Sequence, residues 1–103
     1  MDIFETAHAV VARIELPGVA GEDIHVNVED DLLRVSGIRR PPVGGEVGRL
    51  HQMEIAFGSF ERKVRISVPF DRTGVSARLE DGFLSVTLPK KLAGSREVKV
   101  ETE

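Results

Sequence analysis

Residues 77–90 read Ala-Arg-Leu-Glu-Asp-Gly-Phe-Leu-Ser-Val-Thr-Leu-Pro-Lys, and this stretch decides the fold. Asp81-Gly82 is a two-residue hairpin signal, because a type I′ turn needs positive φ at both central positions. Folding the chain about that pair sets Leu79 opposite Leu84, Ala77 opposite Val86 and Val75 opposite Leu88. The apolar residues then share one face, with Arg78, Glu80, Ser85 and Thr87 on the other. A slip of one residue would turn the whole apolar set to water, so pattern and turn specify one register.

The same logic extends toward the N-terminus. Residues 2–6 make a short opening strand with Ile3 and Phe4 as its apolar content. Residues 8–16 alternate, Val10, Ala12, Ile14 and Leu16 against Val11, Arg13 and Glu15, until Pro17-Gly18 ends the run. Residues 20–23 read as loop. Ile24, Val26 and Val28 then alternate with His25, Asn27 and Glu29. A turn at Asp30-Asp31 puts Val28 opposite Leu33, Val26 opposite Val35 and Ile24 opposite Gly37. Two hairpins with matching inner faces, and no helical period of useful length, predict an all-β antiparallel sandwich.

Residues 38–48 break the alternation with two prolines and three glycines. A loop of that length in a small domain is usually functional or mobile. Alternation returns over 49–56, with His51, Met53 and Ile55 against Leu50, Gln52 and Glu54. This predicts a strand carried on a long loop, placed to leave its own sheet and pair with a neighbour's; an ordinary edge strand within the monomer is the alternative. In 61–68, Arg62 occupies the apolar parity of Phe60, Val64, Ile66 and Val68. A buried guanidinium needs acidic or carbonyl partners, in its own sheet or across a subunit contact. Otherwise it sits at a sheet end and snorkels to solvent.

Composition narrows the function classes. The chain has 103 residues, 41% hydrophobic and 30% charged, which suits one soluble domain with its own core. Cysteine is absent, which removes disulfides, thiolate metal sites and thiol nucleophiles. The first residues lack the features of a secretory signal, no apolar run reaches membrane-spanning length, and a cytoplasmic location is expected. The net charge of −3, with signs interspersed, argues against nucleic acid, and Arg39-Arg40 is too short a basic run to reverse that. His8, His25 and His51 lack local ligand spacing and read as solvent-facing strand residues. Asp30, Asp31 and Asp81 are turn residues, Gly44-Gly45 lacks the continuation of a phosphate loop, and no serine stands in a nucleophile elbow. No enzyme activity, cofactor or metal is expected.

A series of motifs resembles the small heat shock protein (Hsp20, alpha-crystallin domain) family. Ala77-x-x-x-Asp81-Gly82-Phe83-Leu84 followed by Leu88-Pro89-Lys90 resembles its A-x-x-x-n-G-v-L signature. Glu15-Leu16-Pro17-Gly18-Val19, the stretch Arg49-Leu50-His51-Gln52-Met53-Glu54, and Gly58-x-Phe60-x-Arg62 resemble further segments in family order. Ile66-Ser67 stands where the family usually has Leu-Pro. The resemblance implies an immunoglobulin-like β-sandwich over 1–90, a short C-terminal extension over 91–103, and an ATP-independent holdase that binds unfolding client proteins. It implies a homodimer, with larger oligomers open, in which the strand with Arg49, Leu50, His51, Gln52, Met53, Glu54 and Ile55 is exchanged and Arg62 lies at the interface. Val98-Lys99-Val100 resembles the family's I-x-I/V motif, which docks by strand addition. Its expected groove lies between the 24–28 and 75–79 strands, lined by Ile24, Val26, Val28, Ala77 and Leu79; a frayed end is the alternative. Members normally carry a long N-terminal arm, so a chain starting near its first strand is expected to dimerise more readily than form a large shell, with weakened activity. The rival readings are a p23/CS-type co-chaperone adaptor, expected to be monomeric, and a ligand-binding β-sandwich. The absence of tryptophan and tyrosine speaks against a carbohydrate module.

Overall fold

Among the described residues, seven strands form on period-two runs bounded by turn residues: β1 Asp2–Glu5, β2 Ala9–Glu15, β3 Ile24–Glu29, β4 Leu32–Arg39, β5 Gly58–Arg65, β6 Ser76–Glu80 and β7 Phe83–Pro89. Short 3-10 turns at Gly21–Asp23 and Arg72–Gly74 lead into β3 and β6. The computed structural model describes residues 1–41, 47–91 and 100–102. The strands assemble into two antiparallel sheets, one ordered β1-β2-β7-β6 and the other β3-β4-β5.

The two hairpin registers are those the turns dictate. Leu79 faces Leu84 and Ala77 faces Val86 across β6 and β7. Val28, Val26 and Ile24 face Leu33, Val35 and Gly37 across β3 and β4. Asp81 and Gly82 both take positive φ, 52° and 81°, as a type I′ turn requires. The Gly82 carbonyl also accepts a hydrogen bond from the Leu16 N–H at 2.7 Å. This bond docks the hairpin turn on the Glu-Leu-Pro-Gly segment, joining two motifs far apart in sequence.

The core lies between the sheets and follows strand parity. Val10, Ala12, Ile14 and Leu16 from the β2 run meet Leu84, Val86 and Leu88 of β7, Leu33 and Val35 of β4, and Ile66 and Phe70. Removing this apolar surface from water supplies the main driving force for folding. No buried polar or charged residue interrupts it among the described residues.

Residues 49–56 form no strand within this subunit, so the alternative of an ordinary edge strand in the monomer does not hold. Two further expectations differ from the structure. β5 begins at Gly58 and ends at Arg65 rather than spanning 61–68. Its ladder with β4 runs from Arg39↔Gly58 to Leu32↔Arg65, and beyond Leu32 the partner chain has turned away at Asp30-Asp31. Ile66 nevertheless stays buried, its N–H donating to the Asp31 carbonyl at 2.8 Å. Ala77 has the inward parity of Leu79 yet is exposed, and β6 is an edge strand.

Candidate functional site

The sandwich is open at its margins. β1 and β6 bound one sheet, β3 and β5 the other, so each offers unpaired N–H and C=O groups along one side. Such edges are templates for pairing with another chain. β1 shows the largest apolar exposure of any strand margin: Ile3 is 42% and Phe4 43% exposed. Its pairing sets Ile3 beside Ala12 on the inward face and Phe4 beside Val11 on the outward one.

Residues 47–56 leave the body of the protein. All are exposed, with Leu50, Met53 and Ile55 at 64%, 62% and 67%. Among the described residues they make no backbone-to-backbone hydrogen bond. Gln52 Nε2 donates to Glu54 Oε1 at 2.7 Å, a contact between alternate residues that an extended chain places on one side. Arg49 and His51 are exposed in the same run.

Arg62 is exposed rather than buried. It lies in the inward parity of β5, opposite Val35, but β5 is a margin and the facing sheet does not cover it. Its guanidinium makes no ion pair within 4.0 Å among the described residues. It borders a depression of about 470 Å³ shared with Met1, Asp2, Arg13, Ile14, Glu15 and Phe83. The expected acidic residues are therefore near, but not engaged.

The second margin pair carries the expected groove residues. Ile24, Val26 and Val28 are half-buried along the inner face of β3, and Leu79 is half-buried on β6, all packed against the core. Gly21, just before β3, faces Leu79: a Cβ placed there would sit 3.9 Å from its Cδ2. No backbone hydrogen bond joins β3 to β6 among the described residues. Val98 lies outside the described residues, and Val100 is 81% exposed.

His8, His25 and His51 are all exposed, and among the described residues no group of three potential metal ligands gathers. No helix among them is long and apolar enough to cross a membrane. Two features escaped the sequence reading. Phe83 stands outside the core, 39% exposed, with the Arg13 guanidinium carbon 5.2 Å from its ring centroid, within cation–π range. Arg39 and Arg40 are anchored at the root of the projecting segment. Phe83 entered the sequence reading only as a member of the Asp81-Gly82-Phe83-Leu84 motif, which carries no information on its contact with Arg13. The arginines signalled only charge, since their acceptors are distant in sequence.

Comparison with known proteins follows the same outline. Residues 2–101 match the family model described as Hsp20/alpha crystallin family. The chain is 31% identical over 101 residues to small heat shock protein C2 of Rickettsia felis, covering 97% of this chain and 66% of that one. It is 34% identical over 103 residues to the 17.6 kDa class I heat shock protein 1 of Arabidopsis thaliana, covering 99% and 66%. The chain thus spans 66% of the length of both curated relatives. Among solved structures, heat shock protein 16.0 from Schizosaccharomyces pombe superposes with a TM-score of 0.83 at 31% identity, covering 99% of this chain and 80% of that one. A small heat-shock protein from Xylella fastidiosa, described as having a distinct high order structure, gives 0.79 at 28%, covering 98% and 94%.

Proposed function

We propose, for a chain that belongs to the Hsp20/alpha crystallin family, an ATP-independent holdase that captures unfolding proteins at its open sheet margins and self-associates by exchanging residues 49–56. Its family comprises small heat shock proteins, which are non-enzymatic chaperones. One observation supports the reading: among the described residues, an exposed, alternating segment has no backbone partner in a subunit whose β1 is paired on one side only, to β2. Adding that segment to the β1 edge of a second copy would satisfy both sets of backbone groups. The reciprocal exchange would close a two-fold dimer. Arg62, unengaged in the single subunit, would then lie against the incoming chain with Asp2 and Glu15 at hand.

The β3 and β6 margins supply the second surface. The groove of Ile24, Val26, Val28, Ala77 and Leu79 would accept Val98 and Val100 from this tail or a neighbour's, and client segments would compete for it. Capture of an unfolded chain needs only accessible apolar edges, and it lowers the free concentration of the aggregating species. A cytoplasmic setting, suited to a chain without cysteine, belongs to the same reading.

The test is to heat an aggregation-prone client without nucleotide, with and without the protein. Delayed turbidity at stoichiometric ratios is expected, and no delay at excess would refute the holdase role for this chain. Sedimentation gives the assembly arm: a concentration-dependent dimer is expected, shifted toward monomer by Leu50→Ser combined with Ile55→Ser. A monomer at every concentration would refute the exchange.

A further inference from the structure

We infer that Arg39, seconded by Arg40, aims the 47–56 segment away from its own sandwich and toward a second copy of the chain, so that exchange is pre-organised before two copies meet; this rests on the exchange reading above. Arg39 closes β4 and pairs with Gly58, the first residue of β5. The chain therefore departs and returns at one point on the sheet, and whatever holds that point sets the direction of everything between.

Arg39 holds it in two directions at once. Its Nε donates to the Pro17 carbonyl at 3.0 Å, and its Nη1 donates to the Ala56 carbonyl at 3.3 Å. Pro17 follows β2 in the other sheet, so one guanidinium ties both layers to the returning limb. Arg40 fixes the departing limb separately. Its Nε and Nη2 donate to Asp23 Oδ2 and Oδ1 at 3.1 and 3.3 Å, and the Asp23 side chain is only 15% exposed. That hydrogen bond, and then the charge behind it, raises the Arg40 pKa. The two limbs are pinned to different parts of the fold, while residues 47–56 make no backbone-to-backbone hydrogen bond among the described residues.

A planar fork can serve two acceptors that a lysine ammonium cannot span in the same way. Fixing the root removes freedom the segment would otherwise lose on association, which is how pre-organisation raises affinity. The acceptors of Arg39 are neutral carbonyls, so its effect should survive high salt. The more exposed Arg40–Asp23 pair should be screened.

The absence of cysteine permits a direct test with spin labels on Asn27→Cys and Val47→Cys, the labelled chain diluted into unlabelled chain. Arg39→Lys is expected to broaden the label-to-label distance distribution and to raise the dimer dissociation constant roughly three- to tenfold. The far-UV spectrum should stay unchanged, and Arg40→Lys should have a smaller, salt-sensitive effect. Should Arg39→Lys not fold, Arg39→Gln, which keeps one donor, gives the same readouts. An unchanged distribution and dissociation constant would overturn the inference, while the exchange reading would stand if Leu50→Ser still weakened the dimer. A broadened distribution in a chain that never dimerises would overturn both.

Discussion

β2 and the 49–56 segment are both short alternating runs, yet one is sealed and the other bare. β2 has β1 on one side and β7 on the other, and its Val10, Ala12 and Ile14 are almost wholly buried. The segment carries Leu50, Met53 and Ile55 at more than 60% exposure each. Local pattern does not separate them. Alternation specifies which face a strand will bury, but a strand forms only where an edge is available to pair with. β2 is delivered to such an edge by its neighbours in space. Residues 47–56 pair with no edge among the described residues of their own subunit, and the chain flanking them is tied at Arg39 and Arg40. Equal pattern therefore serves stability in one place and contact in the other.

The contrast breaks or holds first on truncation. Leu88 of β7 is fully buried beside Val10, and Leu88→Ala is expected to cost about 2–5 kcal/mol through lost burial and a residual cavity. Ile55→Ala removes a comparable apolar side chain, but it should change the stability of the single subunit by no more than about 0.5 kcal/mol. With no tryptophan or tyrosine in the chain, urea unfolding followed by far-UV circular dichroism is the measurement. It should be run at protein concentrations low enough to remove any association term. Equal penalties at Leu88 and Ile55 would mean that the segment folds back onto its own domain.

A smaller effect is expected at Gly37, where the sealed and open regions meet. A Cβ there would collide with the Asp23 carbonyl oxygen and come within 2.8 Å of the Phe60 ring. The bare backbone lets Phe60 lie over β4 and lets the turn before β3 close against it. Gly37→Ala should cost about 1–3 kcal/mol as an overpacking change, read from the same urea transitions. Because Asp23 also holds Arg40, that shift should loosen the root of the segment. Labels on Asn27→Cys and Val47→Cys would detect it as a broader distance distribution.

How much of this was legible in the sequence depends on how local the deciding interaction is. The Asp81-Gly82 turn and the Asp30-Asp31 turn each fix a register within a few residues, and both registers stand as the turns dictate. The inward parity of Arg62 was equally legible, but its exposure was not, since that depends on β5 being a margin. Ala77 shows the same limit: its face is local information, its cover is not. Of the site, the long loop over 38–48 and the alternation over 49–56 were legible in the sequence. The anchoring of Arg39 on Pro17 and Ala56 was not, because main-chain carbonyls carry no sequence identity.

The smallest expected effect tests whether exposed polar contacts contribute at all beside the sealed core. Asp71 precedes the 3-10 turn Arg72–Gly74 that leads into β6, and its Oδ1 accepts from the Thr73 hydroxyl at 2.7 Å and the Thr73 N–H at 3.0 Å. Those bonds, the hydroxyl's first and then the backbone's, hold its carboxyl below the ordinary carboxylate range. A depressed native pKa stabilises the fold above the unfolded-state value, and the contribution is lost as pH falls through the native one. Asp71→Ala should therefore lower the thermal midpoint slightly at neutral pH, and the difference from the unaltered chain should vanish in strong acid. Thr73→Val, which removes the hydroxyl but keeps the N–H, should reproduce the larger part of that difference. A gap between Asp71→Ala and the unaltered chain that is constant down to strong acid would assign the effect to backbone propensity rather than to the ionised carboxylate. The open margin would then owe nothing measurable to its surface charge.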